Sequence, residues 1–134
     1  MKGLLAVIVL FAVWPFSSGK EFHMTPSTSV PAATGTVKVQ KDNQNKNTRL
    51  EIKVHHLASP SNLTPPASVY VVWVRPNGGE AIKQGALRVD EDLKGELDVV
   101  TTSKNCDVFI TAEQGDTVTV PSEFTVLQTH VTTS

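Results

Sequence analysis

Val69-Tyr70-Val71-Val72-Trp73-Val74 constrains the fold of this chain more than any other stretch, because it is β-branched or aromatic throughout, with no polar interruption. Such side chains lose rotamer freedom against the preceding turn of a helix but pack well on a pleated surface. Pro65-Pro66 stands before the run and Pro76-Asn77-Gly78-Gly79 after it. A short, bounded apolar run predicts a strand covered on both faces, either central in a sheet or in a sandwich core. Asn77-Gly78 is the favoured pair for a type I′ turn, so an antiparallel partner is expected next in the chain.

Weaker signals supply the other strands. Gly35 to Gln40 alternates apolar and polar residues. Arg49 to His56 does the same, placing Leu50, Ile52 and Val54 on one face and Glu51, Lys53 and His55 on the other. Further strand-like runs cover Glu80–Lys83, Ala86–Asp90, Glu96–Thr101, Asp107–Glu113, Thr117–Val120 and Phe124–Val131. Within Asp107–Glu113, Val108 and Ile110 oppose Phe109 and Thr111. Lys41–Thr48 reads as a polar loop and Leu57–Ala67, with Pro60, Pro65 and Pro66, as a long connection. Glu91–Gly95 reads as a hairpin loop with Gly at its end. No segment carries a helical period. About seven to nine short strands with frequent turn signals predict an all-β domain, an antiparallel immunoglobulin-like β-sandwich.

The 134-residue chain divides into three parts. Met1-Lys2, an uncharged and mostly apolar stretch of 14 residues from Gly3 to Phe16, and Ser17-Ser18-Gly19 have the order of a secretory signal peptide, residues 1–19. The stretch is short of the roughly 20 residues a membrane helix needs. Cleavage after Gly19 is the expected fate and retention as an anchor the alternative. Residues 20–34, with Pro26, Pro31 and several Ser and Thr, read as a flexible tether, and residues 35–134 as the sandwich domain. The last 115 residues carry 11 basic and 13 acidic side chains, and the basic ones are scattered. That balance points away from nucleic acid and from anionic lipid. Cys106 is the sole cysteine, so no internal disulfide can form, and a bacterial periplasm or exterior is the expected location.

Chemistry-bearing residues are sparse. Tyr70 and Trp73 lie three apart on a strand and so point to opposite faces, which makes them core anchors or partner-contact aromatics. His55 and His56 are adjacent on a strand and diverge; with His23 and His130 they show no metal-ligand spacing. A mature end at Glu21 would make Glu21-Phe22-His23 a copper-chelating terminus. Cys106 reads as an inert, partly buried thiol, with a redox role through nearby Lys104 as the alternative. Asp90-Glu91-Asp92 lacks the order of a calcium loop and reads as a solvated hairpin tip. No nucleophile elbow, phosphate-cradling loop or Cys–His arrangement is present, so no catalytic residue, cofactor or metal is expected. A hydrolase would need two of Asp90, Glu113, His56 and His130 to meet in a cleft.

One ordered series goes further. Val69-Tyr70-Val71-Val72-Trp73-Val74, Gly85-Ala86-Leu87 with Val89-Asp90, Gly95-Glu96-Leu97, Phe109-Ile110-Thr111-Ala112-Glu113 and Pro121 together resemble the C-terminal extracytoplasmic domain of the anti-sigma-K factor family. The resemblance spans about Gly35 to Val131 and implies a sandwich fold and extracytoplasmic residence. It departs at Glu113-Gln114-Gly115-Asp116, where the family has Glu-Pro-x-Gly-Gly, and at the N-terminus, where a signal peptide stands in place of a sigma-binding region and membrane helix. The expected function is an exported, non-enzymatic binding or structural module for a protein or envelope partner. The alternative is a periplasmic metal-binding or redox protein using His or Cys side chains.

Overall fold

The computed structural model describes residues 19–42 and 47–132. The expected signal peptide, apart from Gly19, lies outside the described residues. Among the described residues eight strands run in chain order: β1 (Glu21–Pro26), β2 (Thr34–Asp42), β3 (Asn47–His55), β4 (Val69–Pro76), β5 (Ile82–Leu87), β6 (Gly95–Thr101), β7 (Asn105–Glu113) and β8 (Thr125–Thr132). One 3₁₀ turn, Pro60–Asn62, interrupts the long β3–β4 connection. Among the described residues no helix is long and apolar enough to cross a membrane.

All pairings are antiparallel, in the order β5-β4-β7-β8-β1-β2-β3-β6. The result is one nearly closed sheet. Its two end strands approach each other where a Cβ on Gly85 of β5 would lie 3.7 Å from a Leu97 methyl of β6. The alternation seen in β3 holds, with Leu50, Ile52 and Val54 buried. They join Val37 and Val39 of β2 on one side and Tyr70, Val72, Val74, Val108, Ile110 and Leu127 on the other in a single core. Tyr70 closes this core by donating its hydroxyl to the Ala58 carbonyl at 2.6 Å. β4, which has a neighbour on each side, is buried from Tyr70 to Val74.

Several local expectations are corrected. Residues 20–34 are not a tether: β1 pairs with β2 through Glu21–Met24 and with β8 through Thr25–Pro26, joining the two halves of the sheet. Met24, Val30 and Ala33 enter the core, and their apolar surface holds a segment whose overall composition is polar. The Asn77-Gly78 turn is not type I′. Only Gly78 has positive φ (76°), and Gly79 N–H donates to the Pro76 carbonyl, the pattern of a type II turn. The Glu80–Lys83 and Ala86–Asp90 runs become one strand, β5, bulged at Gln84, which has no partner in the register, beside Gly85 with φ 152°. Glu91–Gly95 is no hairpin loop: β6 pairs with β3, so the connection carries the chain from one half of the sheet to the other. Gly95 is needed there, since a Cβ would lie 2.6 Å from the Arg88 carbonyl oxygen. The polar β2–β3 loop is shorter than expected, because pairing runs out to Asp42 opposite Asn47. Thr117–Val120 is not a strand, and residues 114–124 instead form a strap across the sheet.

Candidate functional site

The two outward surfaces of the sheet differ in kind. On the β1-β2-β3-β6 side, registered cross-strand rows read Glu21–Lys38–Glu51–Asp98 and His23–Thr36–Lys53–Glu96. Arg49 meets Asp98 at 2.6 Å, both half exposed. Such a surface is a solvated one, its mixed charges contributing little to stability.

The β5-β4-β7-β8 side carries an apolar layer instead. Odd-numbered residues of β4 and β7 point outward here, so Val71, Trp73 and Phe109 form a second buried cluster outside the main core, with Val118 of the strap packed on it. Trp73 Nε1–H donates to Thr111 Oγ1 at 2.8 Å, and the Thr111 hydroxyl donates to Glu113 Oε2 at 2.6 Å. Ser122 N–H of the strap donates to the same carboxylate oxygen at 2.8 Å. Among the described residues no buried side-chain nitrogen or oxygen lacks a hydrogen-bond partner, as burial requires. Lys83 Nζ donates to the Asp116 carbonyl, and Ser122 Oγ to the Ala112 carbonyl at 3.2 Å, which holds the strap at two further points.

Where the strap ends, the sheet surface opens into a groove of about 520 Å³. Thr25, Gln128 and Phe109 form one registered row across β1, β8 and β7; His130, Asp107 and Arg75 form the next across β8, β7 and β4. Arg75 stacks its guanidinium 4.7 Å from the Phe109 centroid. His130 Nδ1 lies 2.7 Å from Asp107 Oδ1. A second concavity of similar size lies between β3 and the β5–β6 connection, lined by Lys53, His55, Arg88, Asp90 and Lys94 among others. Asp90 Oδ1 there accepts from the backbone N–H groups of Asp92 and Lys94 at 2.9 and 3.0 Å.

No protein-family model, curated protein or solved structure matches this chain.

The sequence-derived candidates therefore stand on geometry. Tyr70 and Trp73 do face opposite ways, Tyr70 into the main core and Trp73 under the strap, and both have zero exposure. A surface aromatic platform at these two positions is corrected by that burial. Burial also pushes the Tyr70 hydroxyl up to about 12. Cys106 is buried in the main core, and burial, then the neighbouring Asp107 charge, raise its thiol above the ordinary range. His56 lies just past the end of β3 with φ 57°, its ring 6.5 Å from that of His55. His23 sits within the β1–β2 ladder. Among the described residues no three His, Cys, Asp or Glu side chains gather as a metal would need. Of Asp90, Glu113, His56 and His130, no two share a hydrogen bond or ion pair among the described residues. Arg75, Asp107, Phe109 and Gln128 were not singled out by sequence. The sequence places Phe109 on the face of its strand opposite Val108 and Ile110, which leaves open what covers it.

Proposed function

We propose that this chain is an exported, non-enzymatic binding module, an immunoglobulin-like sandwich similar to the extracytoplasmic domain of anti-sigma-K factors. In this reading it meets a protein or envelope partner through the groove beside the strap. One observation carries the proposal: the two outward surfaces are built differently. One is mostly charged and polar, with Val100 exposed among those side chains, while the other invests a buried polar network and a strap in shaping a groove around a stacked arginine. The sandwich reading is supported by the pairing of β2-β3-β6 on one side of the core and β5-β4-β7-β8 on the other. Export is supported by the N-terminal sequence, and cleavage after Gly19 leaves β1 whole.

A site-specific test places a photo-crosslinking side chain at Gln128 in the groove, or at Lys38 on the opposite surface, in the full chain made by cells that export it. A discrete adduct from Gln128 and none from Lys38 is expected. Equal labelling from both positions, or none from Gln128, refutes the groove as the binding surface. N-terminal sequencing of the exported product is expected to begin at Lys20.

A further inference from the structure

We propose that the groove binds an acidic peptide segment, with a carboxylate of that segment held by the Arg75 guanidinium. This rests on the groove being the binding surface, as proposed above, and names what fills it. Arg75 is exposed at the end of β4, and its guanidinium lies 4.7 Å from the centroid of Phe109. Phe109 is only 6% exposed, packed with Val71 and Trp73 beneath the strap. A fixed ring thus orients a planar cation and leaves its N–H edge in solvent.

Among the described residues the cation has no carboxylate within 4.0 Å. Asp107 is opposite Arg75 in register, yet its carboxylate turns away to His130 at 2.7 Å, on the β8 side. An oriented guanidinium without a partner matches the two oxygens of a carboxylate, and bidentate pairing of that kind is among the stronger polar contacts. The Gln128 amide and the Thr25 hydroxyl line the same groove and suit the N–H and C=O groups of an extended backbone. A sugar ring stacks best on an open benzenoid face, and the one such ring lining the groove, Phe109, lies under Arg75. The chemistry favours peptide.

Proton–nitrogen correlation spectra of the purified chain test this. The probes are the blocked tripeptides Gly-Glu-Gly and Gly-Gln-Gly, and glucuronate. The Glu peptide is expected to move the Arg75 Nε–H and the Phe109 and Gln128 amides, and to bind about tenfold tighter than the Gln peptide. Arg75→Gln, with its melting temperature unchanged, is expected to abolish that difference, and Arg75→Lys to keep part of it. Equal affinity for the two peptides, or undiminished discrimination in Arg75→Gln, overturns the carboxylate assignment. A Gln128 adduct that persists alongside either result leaves the groove itself in place as a binding surface. Tighter binding of glucuronate than of the Glu peptide overturns the peptide assignment in favour of an acidic saccharide. No shift with any probe also overturns the proposal, and the Gln128 crosslink then decides whether the groove reading falls with it.

Discussion

At the scale of single residues, Tyr70 and Trp73 show how one strand serves two interiors. Both carry a polar atom into a buried place, and both find a partner: Tyr70 the Ala58 carbonyl, Trp73 the Thr111 hydroxyl. The Tyr70 phenol is held neutral by burial, which raises it from about 10 to about 12. Its folded value therefore exceeds its unfolded one. The stabilisation from keeping it neutral is complete below about pH 10 and is lost as pH rises through 12. The loss amounts to about 2–3 kcal/mol. Tyr70 is the sole tyrosine, so ultraviolet absorbance reports this one group. Tyrosinate is expected to appear only near pH 12 in the native protein and near pH 10 in urea. Titration near 10 in the native state would contradict the burial.

At the scale of elements, β1 and the strap are the parts that composition concealed. The first reads as a polar tether and the second as a turn leading into a strand at Thr117–Val120, and both are held by a few well-placed residues: Met24, Val30 and Ala33 for the first, Val118 and Ser122 for the second. β1 alone joins the β2 and β8 edges, so its contribution to stability should exceed that of any tether. Met24→Ala is expected to lower unfolding free energy by about 2–4 kcal/mol, read from urea denaturation. A mobile tether would show no change. Gly35 belongs to the same contact, since a Cβ there would lie 2.9 Å from the Met24 sulfur. The strands themselves were largely legible. β2, β3, β4, β6, β7 and β8 fall where alternation or apolar runs place them, because half-buried strands write their burial directly into a period of two. The β5 bulge and the β5–β6 crossover were not legible, since turn residues look alike whether the strands they join pair or part.

At the scale of the whole molecule, eight strands bury one continuous core without a covalent link. Cys106 is the single cysteine and lies at zero exposure within that core. Native protein is expected to react slowly with a thiol reagent and to label fully once unfolded. Its melting temperature should be the same with and without reductant. Rapid native labelling would place Cys106 at the surface and remove it from the core.

By itself, the sequence determined the all-β class, most of the strands and which of their residues turn inward, because these depend on local periodicity and on the stiffness of β-branched side chains. Only the tertiary structure decided what lies outside the sheet. The same alternating pattern that hides Val108 and Ile110 leaves Phe109, Thr111 and Glu113 facing outward, and no local rule says whether that side meets water or another layer. Here the strap covers part of it, and beside the strap lies the groove in which Arg75, Asp107 and His130 come from three strands. Those residues are far apart in the chain, and only strand register brings them into one row.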